Sequence, residues 1–378
     1  MSSIFTFPNR VVFGEGARRS LAIELNRLGV RRPLIVTDPG VSRAGLVEEA
    51  TGRPVGMFVF EGVHPNPTEA DVVAGLSVFM ESACDGLVAV GGGSAIDAAK
   101  AIRLLSTHAG TFGDFDYTAC GSEAITSNLP PMVAMPTTAG TGSEVGRGTL
   151  VQLAGNGRKT IALSGHLLPS VAICDPELTY ALPSVLTAAT GMDAFTHAVE
   201  SYLSTTFHPM CDGIAAEALR YLAKGLEASV RDGSDAEARR AQMMGALLAG
   251  VSFHKGLGVV HSLSHALGAE GRVHHGTLNA ILLPHALRFN REAAESRMAE
   301  LATRMGMGRN GDAASHLIML AELILTRLPL PKKLSELGGL ERARIPHYAR
   351  LAMLDHCHRT NPRPCLEEDM AKLLEAAW

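Results

Sequence analysis

Leu87-Val88-Ala89-Val90-Gly91-Gly92-Gly93-Ser94-Ala95-Ile96-Asp97 joins a short apolar run to three glycines and then to the start of a helical pattern. An apolar run of this length, ended by turn formers, reads as a strand buried on both faces. The glycines let backbone N–H groups approach a phosphate, and the helix that follows adds partial positive charge at its N-terminus. The logic recurs where Met132-Val133-Ala134-Met135 runs into Pro136-Thr137-Thr138-Ala139-Gly140-Thr141-Gly142-Ser143-Glu144. There the hydroxyls can bond a ribose, a phosphate or a carboxamide. The Gly-x-Gly-x-x-Gly fingerprint is absent, because Gly140, Gly142 and Gly146 miss its spacing by one residue. One glycine-rich strand end says no more than tight turn; two in succession point to a phosphate-bearing ligand.

Around this stretch the first half of the chain alternates strands with helices. Pro33 to Thr37, Val55 to Phe60 and Val171 to Cys174 read as further strands, and Ala70 to Ser82 and Ala95 to Leu105 as helices. The pattern predicts a largely parallel sheet covered on both faces. Asp38, just after an early strand, can accept hydrogen bonds from ribose hydroxyls and repel a 2′-phosphate, which favours NAD over NADP. It serves equally as a turn aspartate before Pro39. Ile4 to Phe13 alternates weakly around Pro8-Asn9-Arg10, which predicts a small hairpin whose edge can pair with a second subunit.

After Leu182-Pro183-Ser184 the texture changes. Runs rich in Ala, Leu, Met, Glu and Arg, with apolar residues at helical spacing, occupy 209–232, 235–254, 276–305, 311–328, 341–353 and 366–376. The expected organisation is an α/β dinucleotide-binding domain over 1–183 and an all-helical domain over 184–378.

The helical half carries the densest chemistry. In Gly191-Met192-Asp193-Ala194-Phe195-Thr196-His197, Asp193 and His197 lie one helical turn apart on one face. The segment from His261 to His275 adds His261, His265, His274 and His275. Together these residues can offer a divalent metal three nitrogens and one oxygen. Spacing alone does not choose among the four histidines of that segment. The donor set, hard to borderline, suits ferrous iron or zinc.

Bulk properties narrow the classes. The 378 residues are too many for one ordinary core, and 46% hydrophobic with 19% charged residues fits large buried surfaces. A net charge of −4 provides no field for nucleic acid, and no uninterrupted apolar run is long enough for a membrane span. The N-terminus lacks a secretory pattern, and the six cysteines are scattered without Cys-x-x-Cys spacing. Both features lead us to expect reduced thiols in a cytoplasm.

Five segments resemble the iron-containing, group III alcohol dehydrogenase family: Gly-Gly-Gly-Ser-x-x-Asp at 91–97, the Pro136–Glu144 loop, 188–200 around Asp193 and His197, Gly-Leu-Gly-Val-Val-His-Ser-Leu-Ser-His-Ala-Leu-Gly at 256–268, and His-Gly-Thr-Leu-Asn-Ala-Ile-Leu-Leu-Pro-His at 275–285. Asn361-Pro362-Arg363 is similar too, so the resemblance runs the length of the chain. It implies a dehydroquinate synthase-like architecture. It also implies a metal site of Asp193, His197, His261 and His275, holding Fe2+ or Zn2+. For NAD it implies contacts from Asp38, Asn66, Gly92, Gly93, Ser94, Asp97, Thr137, Thr138, Thr141, Ser143 and Lys159. His274, directly before the last ligand, and Phe253-His254-Lys255 depart from the family pattern.

The implied activity is hydride transfer between NAD(H) and a small primary alcohol or aldehyde. A metal on the substrate oxygen stabilises the alkoxide or polarises the carbonyl. His265 is a candidate proton relay or a structural histidine. A maleylacetate reductase-like enzyme and a lyase resembling 3-dehydroquinate synthase are the alternatives. Arg147, His254 and Lys255 would suit an anionic aldehyde or serve as solvated or cofactor-side charges. The hairpin edge and the family pattern together suggest a homodimer.

Overall fold

A computed structural model of the chain describes residues 9–52, 57–155, 158–271, 273–307 and 312–378. Its contacts divide the chain into two compact units, with the break between Leu182 and Pro183.

The first unit is built on β1 (Arg10–Phe13), β2 (Pro33–Val36), β3 (Phe58–Phe60), β4 (Gly86–Gly91), β5 (Met132–Pro136), β6 (Gly148–Gln152), β7 (Lys159–Leu163) and β8 (Val171–Cys174). Its helices are α1 (Leu21–Arg27), α2 (Pro39–Arg43), α3 (Leu46–Thr51), α4 (Glu69–Glu81), α5 (Gly93–Leu105) and α6 (Tyr117–Cys120). Six strands form one sheet in the order β1-β8-β5-β4-β2-β3, and every pairing is parallel. Alternate residues divide between two cores. Leu34, Val36, Leu87, Ala89, Met132 and Ala134 pack with α4 and α5, while Ile35, Val88, Val90, Val133 and Met135 pack with α1 and α3. Burial on both faces is why these strands read as unbroken apolar runs rather than as alternating ones.

Two features go beyond the sequence expectation. Arg10–Phe13 pairs in parallel with β8, from Arg10 opposite Val171 to Phe13 opposite Cys174. Among the described residues it is the edge strand of the sheet. The rest of the expected hairpin, residues 1–8, and the start of the expected strand at Val55 lie outside the described residues. The unforeseen element is the antiparallel pair β6–β7, in which every second residue is buried. Its signal was present as Asn156-Gly157 between two alternating runs.

The second unit is helical: α7 (Ser184–Leu203), α8 (Pro209–Arg231), α9 (Ala236–Ser252), α10 (Val259–Gly271), α11 (His275–Arg304), α12 (Ala313–Arg327), α13 (Ile345–Leu354) and α14 (Glu367–Ala377). From Thr187 to Leu203 every residue of α7 is buried, so it is the unit's central helix. No single helix among the described residues is long and apolar enough to cross a membrane. The one pair that passes on composition, Ala236–Lys255 with Val259–Gly271, is bent by 105°.

Candidate metal centre and cofactor loops

In the first unit the strand order reverses between β2 and β4, since β3 lies beyond β2 and β5 beyond β4. Open parallel sheets bind ligands at the carboxyl ends of strands beside such a reversal. Asp38 follows β2, and Gly92–Ser94 follow β4. Asp38 Oδ1 accepts from the N–H groups of Gly40 and Val41, capping α2. Its Oδ2 points toward Gly91, where an added Cβ would lie 3.5 Å away. Asp38 is therefore the turn residue that the sequence allowed, and its Oδ2 takes no part in the cap.

The two glycine-rich loops touch. A Cβ on Gly93 would lie 2.7 Å from Thr141 Oγ1, and one on Gly92 3.3 Å from Thr138. Asn66 N–H donates to Ser94 Oγ at 3.3 Å, and Lys159 Nζ donates to Asn66 Oδ1 at 2.7 Å. Gly92, Gly93, Ser94, Asn66, Thr138, Thr141 and Lys159 are thereby gathered at one end of the sheet. Asp97, Ser143 and Thr137 are instead buried. Asp97 accepts from Ser143 Oγ and from Leu150 N–H, which turns its carboxylate inward to hold the second loop and β6. Sequence reasoning passed over Lys100, a fully buried amine that donates to the carbonyls of Ser143, Gly146 and Gly148. Burial pushes that amine down to about 8, against the pull of Asp97 and Glu144.

In the helical unit, α7 presents Asp193 and His197 on one face, α10 carries His261 and His265, and α11 begins at His275. Asp193 Oδ1 lies 3.7 Å from His197 Nε2, 3.7 Å from His261 Nε2 and 3.6 Å from His275 Nε2. The donor atoms of Asp193, His261 and His275 all fall within 4.8 Å of one another. His197 joins them through Asp193 and by stacking on His261 with 4.5 Å between ring centroids. His275 rather than His274 faces the carboxylate, and His274 is exposed. The approach of α11 depends on Gly276, where an added Cβ would lie 2.0 Å from the Ala189 carbonyl oxygen on α7.

Burial alone would raise the Asp193 carboxyl. The pull of His197, His275 and His261 outweighs it and holds the group below the usual carboxylate range. Desolvation likewise lowers His261, yet hydrogen bonds to Asp193 and Glu200 carry it up to about 9. A buried site this attractive to a proton also fits a cation. One carboxylate oxygen with three imidazole nitrogens is a donor set for a divalent transition metal.

Three further residues complete the surroundings. Glu200 Oε2 accepts from His261 Nδ1 at 2.6 Å. Asn279 Nδ2 donates to Asp193 Oδ1 at 2.7 Å and lies 3.3 Å from His261 Nε2 and 3.2 Å from His275 Nε2. His265 Nδ1 donates to Asp355 Oδ2 at 2.9 Å, and Asp355 Oδ1 accepts from Ser262 Oγ and Cys357 N–H. His265 also stacks on His275 with 5.1 Å between centroids. Glu200 and Asn279 were within reach of sequence reasoning, each at helical spacing from a predicted ligand. Asp355, ninety residues beyond its histidine, left no such signal. Lys255 is not a substrate group: it is buried, with its amine on Asp212 and the Tyr202 carbonyl.

Comparisons with known proteins identify the family. Residues 8–176 match the family described as iron-containing alcohol dehydrogenase, and 187–378 match the Fe-containing alcohol dehydrogenase family, C-terminal. A 4-hydroxybutyrate dehydrogenase of Cupriavidus necator is 44% identical over 371 residues, covering 95% of this chain and 96% of its own. A solved 1,3-propanediol oxidoreductase superposes with a TM-score of 0.94 at 37% identity, covering 100% of both chains. A sulfoacetaldehyde reductase from Bifidobacterium kashiwanohense, solved in complex with NAD+, gives 0.89 at 27% identity, covering 100% of this chain and 99% of that one. The chain belongs to the iron-containing alcohol dehydrogenase family, as an NAD-dependent oxidoreductase of alcohols and aldehydes that works with a bound metal.

Proposed function

We propose that Asp193, His197, His261 and His275 hold ferrous iron, with zinc as a second occupant, and that the substrate is a short ω-hydroxy acid or its aldehyde, such as 4-hydroxybutyrate. The reading is carried by one buried carboxylate oxygen facing three imidazole Nε2 atoms at 3.6 to 3.7 Å. Donors sharing one cation at about 2.1 Å each stand roughly that far apart. A divalent cation held there supplies Lewis acidity, easing loss of the alcohol proton and polarising the aldehyde carbonyl. NAD(H), held by the loops of the first unit, would supply the hydride chemistry.

The rest of the work falls to the chain. Asp193, His261 and His197 are almost wholly buried, which keeps water from the donor atoms. His265 directs Nδ1–H to Asp355, so its Nε2 keeps a lone pair with which to take or give a proton. In the first unit, Gly92, Gly93 and the N-terminus of α5 suit a pyrophosphate, Thr138 and Thr141 line the adjoining loop, and Asp38 Oδ2 suits a ribose. The choice of an ω-hydroxy acid is supported by the name of the relative at 44% identity.

We also propose a cytoplasmic homodimer. Support comes from the edge strand β1, whose outer side pairs with nothing among the described residues, and from six cysteines that are all free thiols. The test of the central reading is to strip the metal with a chelator, verify its removal, and follow NADH oxidation with a panel of aldehydes. Turnover should vanish and return with Fe2+ added without oxygen. Undiminished turnover by verified metal-free protein defeats the reading. Stoichiometric NADH consumption also separates it from a lyase that regenerates its cofactor.

A further inference from the structure

Gly258, directly before α10, has no side chain with which to cap it, yet three N–H groups at the start of the helix are bonded by side chains from elsewhere in the unit. Glu200 Oε2 accepts from Gly258 N–H at 3.0 Å, Glu200 Oε1 from Val260 N–H at 2.7 Å, and Asn361 Oδ1 from Val259 N–H at 3.2 Å. Asn361 is fixed by Asn290, whose side-chain amide exchanges bonds of 3.0 and 2.6 Å with it. Gly258 lies against this arrangement so closely that an added Cβ would stand 2.7 Å from Glu200 Oε1 and 2.8 Å from Asn361 Oδ1. The same Glu200 carboxylate accepts from His261 Nδ1 at 2.6 Å.

We propose that Glu200 is the positioning residue of the metal centre, with Asn361 holding the start of α10 beside it: Glu200 fixes the His261 tautomer and aims Nε2 at the cation. The proposal rests on the reading that His261 is a ligand. A carboxylate on Nδ1–H leaves the lone pair on Nε2, raises its donor strength and stops the ring from turning. Two backbone donors on the same carboxylate stop Glu200 itself from turning. Glu200 also lies on α7 with Asp193 and His197, so it ties the helix of the third ligand to the helix of the first two. A role is thereby assigned to Asn361, the first residue of Asn361-Pro362-Arg363, as the brace of the helix start.

The test is Co2+ titrated into metal-free protein against a competing chelator, with the visible absorption of bound Co2+ recorded. Glu200→Gln should weaken binding about 10- to 100-fold and alter the absorption band. NADH binding and thermal melting of the apoprotein serve as the folding control. Should Glu200→Gln fail to fold, Glu200→Asp, which keeps the charge but cannot reach Nδ1, should show the same loss. In a His261→Ala background, adding Glu200→Gln should change affinity little, because its effect passes through that ring. Wild-type Co2+ affinity in Glu200→Gln, with a large loss in His261→Ala, overturns the proposal. Unchanged affinity in His261→Ala would instead strike at the ligand reading.

Discussion

Burial pushes the Lys159 amine down to about 8, against the pull of Asp97, while its Nζ donates to Asn66 Oδ1. Below that pH the amine is charged and can meet an anionic cofactor; above it the charge is gone. NADH affinity should therefore fall as pH rises through about 8. Lys159→Met should flatten that dependence and weaken binding at neutral pH by about tenfold, the size of a lost charge-assisted hydrogen bond. Fluorescence titrations across pH check both. The stability of the apoprotein should move the other way. A lysine whose folded value lies below its ordinary 10.5 costs stability while charged, and the cost is relieved as pH rises from about 8 toward 10.5. At this scale the sequence told residue types well and roles unevenly. Asp193 and His197 could be read from their helical spacing, whereas His261 and His275 were singled out from their neighbours only by the resemblance to a known family. Lys255 could not: nothing local to it reveals that its amine is buried on Asp212.

Among the helices, α7 and α11 come closest where the chemistry needs them. The Cβ of an alanine at 276 would stand 2.0 Å from a backbone carbonyl oxygen of α7, which cannot swing aside as a side chain would. Gly276→Ala should push the start of α11 outward and move His275 off Asp193. We expect loss of metal binding together with roughly 1–3 kcal/mol of destabilisation from overpacking, measured by chelator competition and by denaturant unfolding of the apoprotein. Normal metal affinity in this variant would show that the approach of the two helices does not set the site. The long helices were legible in the sequence because their apolar period extends over several turns. The parallel partner of β1 was not, and the β6–β7 pair was passed over although Asn156-Gly157 stands between two alternating runs. A strand of four or five residues carries little period, and the partner of β1 lies some 160 positions away.

Across the whole molecule, two chemistries are lodged in two compact units. Metal should act on one and cofactor on the other. Hydrogen exchange should show Fe2+ or Zn2+ slowing α7, α10 and the start of α11, and NADH slowing the loops after β2, β4 and β5. Metal at about a hundredfold its dissociation constant should add about 2.7 kcal/mol to the stability of the helical unit. Uniform protection of both units by either ligand would contradict this division. The sequence by itself determined the fold class, the glycine-rich strand ends and the candidate ligands, because periodicity and spacing are local quantities that survive in one dimension. The resemblance named His275, and the tertiary structure has it, rather than His274, facing Asp193; only the tertiary structure decided that Asp97 turns inward and that Glu200, Asn279 and Asp355 stand behind the histidines. Each of those depends on which side chain from a distant part of the chain fills the space opposite. That is settled by packing, where one added carbon at Gly276 would already be too many.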